Sequence, residues 1–139
     1  MSTATRVFRW SEIYSVNVAA LDRQHMELID TIHELELALR AGEGNSSVNK
    51  VLKKLLTYAD LHFSTEESLM QEHGFPGLSS HRSQHDMFRK KIAALIEDYR
   101  ASKAGVPVTL LLFVQAWLKD HVRNTDKLYS SYLNARGVK

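Results

Sequence analysis

The chain has 139 residues, 44% of them hydrophobic and 24% charged, with a net charge of +2 and a pI near 8.9. That is enough for one domain with its own core, and the basic clusters Lys53-Lys54 and Arg89-Lys90-Lys91 are too short to read as a nucleic-acid-binding stripe. The absence of cysteine excludes disulfides, thiolate zinc sites and iron-sulfur clusters, so any metal must be held by nitrogen and oxygen.

The opening MSTATRVFRW has no apolar signal-peptide core, and the longest apolar run, Leu110 to Val114, is far short of a bilayer span. The expectation is a cytoplasmic protein without membrane insertion. Residues 1–17 read as a non-helical arm, whose Trp10 either caps the end of the structure or simply packs on it. Gly42 and Gly44, then Gly74-Phe75-Pro76-Gly77, then Gly105-Val106-Pro107 punctuate the rest into helices at about 18–41, 46–72, 80–104 and 107–134. Ser46, Ser47, Ser79 and Ser80 are candidate N-caps, and Pro107 suits a first helical turn. Short links between long helices make neighbours antiparallel, which predicts an all-α, up-down-up-down four-helix bundle, a single domain over 1–139.

Each helix has an apolar seam stepping by three and four. The first runs Leu21, His25, Leu28, Ile32, Leu35, Leu39; the second Leu55, Ala59, His62, Glu66, Leu69; the third His81, His85, Phe88, Ile92, Leu95, Tyr99. The fourth runs Leu110, Val114, Trp117, His121, Leu128, with one gap after His121. A single seam histidine is most often a hydrogen-bonded core residue. Here histidines stand on all four seams, and the antiparallel order carries them to the same end of the bundle. Burying five imidazoles and a carboxylate together is costly unless something pairs with them, and a metal cluster does so.

The pairs His62/Glu66 and His81/His85 are spaced i,i+4, so each faces one way from successive turns and can grip a metal. His121 and Asp126 are five apart, about 140° around an ideal helix. Both reach one cluster only if it lies between their directions or the helix departs locally from α geometry, by a π-bulge or an overwound or bent turn. His33, off the seam, and His73, after the second helix, read as solvated residues; Tyr58, Tyr99 and Tyr132 read as core-edge residues.

A histidine after Asp-x-x (Asp22 and His25), then His62-x-x-x-Glu66, His81-x-x-x-His85 and His121-x-x-x-x-Asp126, resembles the ligand set of the hemerythrins. The segments Leu21-Asp22-Arg23-Gln24-His25, His62-Phe63-Ser64-Thr65-Glu66-Glu67 and Trp117-Leu118-Lys119-Asp120-His121 are similar to motifs of single-domain bacterial members, and the resemblance extends from about Trp10 to Tyr132. It implies two non-haem irons with an oxo or hydroxo bridge. One would be held by His81, His85 and His121 and the other by His25 and His62, with Glu66 and Asp126 bridging. These donors and the bridge fill every position of two octahedral irons but one, on the two-histidine iron, and an open position is where an outside ligand binds.

The implied function is reversible dioxygen binding for transport, storage or delivery, in a protein that is not an enzyme beyond a weak peroxidase-type side activity. Dioxygen can take two electrons and the bridge proton without changing the charge of the buried site. The ligand set is rich in histidine, and no Glu is followed three residues later by His, unlike the carboxylate-rich di-iron oxidases. The apolar residues Leu28, Phe63, Trp117, Leu118 and Val122 flank the ligands and form the expected oxygen pocket. Rival readings are an oxygen or redox sensor, a di-iron peroxidase or nitric oxide-handling enzyme, and metal storage. Any oxygen-consuming acceptor protein is unidentified.

Overall fold

The computed structural model describes residues 9–42, 45–102 and 105–139. Its helices are α1 (Ala19–Arg40), α2 (Asn45–Glu72), α3 (Leu78–Arg100), α4 (Val106–Asp120) and α5 (Lys127–Asn134). A π-helical turn, His121–Thr125, joins α4 to α5, so the two form one interrupted fourth rod. Helix α1 packs on α2 and α4, and α3 on α2 and α4, which closes an up-down-up-down bundle of four rods.

The helix starts differ from the sequence expectation. Helix α2 begins at Asn45 and α3 at Leu78, so Ser46, Ser47, Ser79 and Ser80 lie inside first turns instead of capping them. The chain has already turned at Gly77, the N-cap of α3, before either serine is reached. Pro107 occupies the first turn of α4 as expected. Helix α3 ends at Arg100, and Ser102 is left-handed at φ 57°; residues 103 and 104 of the expected third helix lie outside the described residues.

The link from α2 to α3 needs its glycine. Gly74 sits at φ 67°, Phe75 N–H donates to Met70 C=O at 2.8 Å, and Gly74 N–H donates to Gln71 C=O at 3.2 Å. This is a Schellman stop, and Phe75 packs with Met70 as such a motif favours. The turn sets how soon α3 can start, and hence brings His81 and His85 level with His62 and Glu66.

Two apolar clusters lie on either side of the histidine layer. The larger one fills the bundle from Leu28 and Phe63 through Leu55, Ile92 and Leu110. The smaller one, with Val16, Val18, Leu21, Met70, Tyr129 and Leu133, closes the other side. The arm supplies part of this lid. Asp22, in the first turn of α1, accepts from Val16 N–H at 2.8 Å and Ser15 Oγ at 2.6 Å, while Ser130 Oγ donates to Val16 C=O at 2.6 Å. The arm carries one 3-10 turn at Glu12–Tyr14, an addition to the expected irregular segment, and the partly buried Trp10 packs against the main core near Tyr14.

Leu128, expected on the fourth seam, is 70% exposed, whereas Tyr129 is fully buried. The π turn is the cause. Its extra residue per turn shifts the inward face by one position, so the register counted from His121 as an α-helix fails after it.

Candidate metal centre

His25 comes from α1, His62 and Glu66 from α2, His81 and His85 from α3, His121 from the end of α4, and Asp126 from the start of α5. All seven are buried. Their donor atoms fall into two groups, each within 4.8 Å: His81, His85, His121 and Glu66 in one, and His25, His62, Glu66 and Asp126 in the other. Glu66 belongs to both. Asp126 also spans them, with Oδ1 2.9 Å from both His81 Nε2 and His121 Nε2 and Oδ2 3.1 Å from His25 Nε2. Glu66 Oε1 lies 3.0 Å from His62 Nε2 and 3.3 Å from His85 Nε2.

The spacing of five works through the π turn. Asp126 N–H donates to His121 C=O at 2.8 Å, five residues back. Widening the turn to an i→i−5 bond lets both side chains face inward.

Outward-facing partners set the state of the imidazoles. His62 Nδ1 donates to Gln24 Oε1 at 2.8 Å, His121 Nδ1 to Gln84 Oε1 at 3.1 Å, and His85 Nδ1 to Glu67 Oε2 at 2.7 Å. An imidazole whose Nδ1 carries the proton presents a lone pair at Nε2. Yet Nε2 of His25 and His62 lie 2.8 Å apart, and Nε2 of His121 lies 3.2 Å from those of both His81 and His85. Among the described residues Glu66 Oε1 and both oxygens of Asp126 have no hydrogen-bond partner. Lone pairs and orphaned carboxylate oxygens turned inward at this density fit cations.

The electrostatics agree. Burial and the charge of Asp126 push Glu66 up, but His62 and His81 outweigh them and hold it well below the usual carboxylate range. Burial raises Asp126 too, and His121, His25 and His62 reverse that. Burial lowers His62 and His81, but Glu66 and Asp126 overcome it and bring each to about 9. Without a cation the site holds protons in its place.

The hemerythrin HHE cation binding domain matches residues 16–133. The chain belongs to the hemerythrin family. It is 32% identical over 122 residues to a bacteriohemerythrin of Methylococcus capsulatus, covering 88% of this chain and 92% of that one. A bacteriohemerythrin of Stenotrophomonas maltophilia is 28% identical, with 91% and 81% covered. The wild-type hemerythrin crystal structure superposes with a TM-score of 0.81 at 32% identity, over 91% of this chain and 98% of that one.

In this hemerythrin a cavity of about 10 Å³ adjoins the histidine layer, lined only by apolar side chains. Leu28, Phe63, Trp117 and Leu118 line it; Val122 is buried in the same core but is not part of the wall, and Ala59, Phe88 and Val114 are wall residues that flanking position alone did not suggest. Phe63 stacks on His85 at 3.9 Å and Trp117 on His121 at 4.3 Å, so two wall residues also fix imidazole planes. The volume is near the lower limit for one small molecule.

Four further residues escaped the sequence reading. Gln24, Glu67 and Gln84 orient histidines on other helices, a relation no local spacing reveals. Tyr129 donates to Glu66 Oε2 at 2.6 Å, and burial together with the charges of Asp126 and Glu66 raises it well above the usual phenol range. It is thus a neutral O–H beside the cluster. Its one signal was its place three residues after Asp126. His33 pairs with the buried Glu36 at 3.5 Å, and the partly buried His73 follows α2, its C=O accepting from Tyr132 Oη.

Proposed function

We propose that this protein binds dioxygen reversibly at a non-haem di-iron centre and serves oxygen transport, storage or delivery. Family membership and the bundle support the coarser statement, a non-haem di-iron oxygen-binding protein. The observation that carries the reading is the buried set of five imidazoles and two carboxylates beside a wholly apolar cavity.

In this reading His81, His85 and His121 would hold one iron and His25 and His62 the other, Glu66 and Asp126 would serve both, and an oxo or hydroxo group would complete the cofactor. The iron pair, when bound, supplies electrons that dioxygen can accept and return. The chain's own residues keep the site fixed and dry. Gln24, Glu67 and Gln84 hold three imidazoles with Nε2 inward, and Phe63 and Trp117 press on two of them face to face. Tyr129 occupies one oxygen of Glu66 as a neutral donor. The apolar wall admits a small uncharged gas but offers nothing to a water molecule or a departing anion. An iron at His25 and His62 would have two imidazoles where its neighbour would have three, so the exchangeable position is assigned to it.

The test is metal analysis followed by optical spectra recorded without oxygen, with oxygen, and after its removal. Two irons per chain and bands that appear and vanish over repeated cycles are expected. One metal in fully loaded protein, or a spectrum that does not return, overturns the reading.

A further inference from the structure

The three Nδ1 partners of the inward imidazoles are not alike. His62 and His121 rest on the neutral amides of Gln24 and Gln84, whereas His85 rests on a carboxylate, Glu67, at the shortest of the three distances, 2.7 Å. The other Glu67 oxygen, Oε1, accepts from Arg82 Nε at 3.2 Å, and Arg82 Nη2 donates to Gln71 Oε1 at 3.2 Å. A polar line therefore runs from a guanidinium that is 46% exposed, through Glu67 at 19%, to the fully buried ring of His85.

A carboxylate accepting the Nδ1 proton makes the imidazole a more basic donor at Nε2 than a neutral amide does. The more basic donor stabilises a ferric ion more than a ferrous one, because the added electron density meets a higher charge. We propose that Glu67 is a positioning residue that fixes His85 and, through its charge, lowers the midpoint potential of the three-histidine iron, while Arg82 at the surface partly cancels that charge and raises it. The inference rests on the di-iron reading above. It makes the two irons unequal in a way their ligand count alone does not, with the more oxidisable one away from the open position.

The two roles have opposite signs, and this separates charge tuning from packing. Loosening this edge of the bundle would act in the same direction for either residue. Both side chains reach the surface region, so each tolerates a polar replacement.

The experiment uses the iron-loaded full chain and measures iron content and midpoint potential in the wild type, Glu67→Gln and Arg82→Gln. Glu67→Gln keeps an acceptor for His85 Nδ1, so iron is retained while the ferric-to-ferrous affinity ratio falls about tenfold, a rise of about 59 mV for a one-electron step. Arg82→Gln moves the potential down by a smaller amount. A third variant, Glu67→Ala, removes the acceptor and weakens iron binding by roughly 10- to 100-fold, the usual cost of losing an outer partner. Unmoved potentials with iron retained, or shifts of the same sign in the two glutamine variants, overturn the inference. Arg82→Gln carries the test alone if Glu67→Gln loses iron, since an unmoved or raised potential there is equally fatal. A wild-type chain that takes up no iron overturns the di-iron reading itself.

Discussion

In His62, His85 and His121 the Nδ1–H faces away from the cluster, toward Gln24, Glu67 and Gln84. This gives the ligand residues a different character from His33 and His73, which are partly exposed and outside the cluster. Replacing His81 with Ala is therefore expected to cost one or both irons, while His33→Ala and His73→Ala lose none. Metal analysis of the three purified proteins checks this, and equal losses would remove the basis of the assignment. At the cavity wall, Leu118 is 5% exposed and stands three residues before His121. Leu118→Asn puts a polar group where water is otherwise unsupported, so the oxygenated spectrum should decay faster than in the wild type with iron content intact. Leu39→Asn, away from the cavity, serves as the control after correction for unfolding. Unchanged decay at Leu118 would mean that this residue does not guard the site.

At the scale of the helix, the π turn at His121–Thr125 is the point where sequence counting and structure part company. The five-residue spacing of His121 and Asp126 was itself the legible sign of a departure from α geometry. Its consequence further along was not legible, because a π turn and an overwound turn shift the later register differently. Leu128 was therefore expected inside, and Tyr129 took its place. A π turn is held by few bonds of its own, and a metal would cross-link its two ends through His121 and Asp126. Amide exchange at residues 121–126 should accordingly quicken more on iron removal than exchange in the middle of α4. Equal responses along the whole rod would show that the turn is stable without the cluster.

For the molecule as a whole, the candidate centre draws side chains from four rods between two apolar clusters, so metal bound there would be coupled to folding. At free iron 1,000-fold above the dissociation constant the stabilisation is about 4 kcal/mol, and chelation should lower the melting temperature accordingly. The pH dependence then differs between the two forms. In metal-free protein His62 and His81 sit at about 9 against an unfolded value near 6.5, so their contribution is complete below about 6.5 and is lost as pH rises through 9. Glu66 and Asp126, held low, contribute above the ordinary carboxylate range and lose that contribution in acid. Denaturant titrations should show metal-free protein weakening from pH 7 to 10, while the iron-loaded form, whose imidazoles bear metal in place of the proton, stays level. A flat metal-free profile would refute the assigned proton sites.

Local pattern alone determined the four rods, their antiparallel order and the convergence of five histidines and Glu66 at one end, because helical periodicity and short links are properties of neighbouring residues. Asp126 was half-legible, since its spacing left open whether the cluster lay between the two side-chain directions or the helix departed from α geometry, and resemblance carried the rest. Tertiary structure decided what depends on contacts between helices: Gln24 reaching His62, Glu67 reaching His85, Gln84 reaching His121, and Tyr129 reaching Glu66 across 63 residues of chain. It also decided the cavity wall, where Ala59 and Val114 meet Leu28 only because three rods pack there. A partner's position in space is set by packing angles and rotation of each helix about its axis, and neither is encoded in the spacing along any one of them.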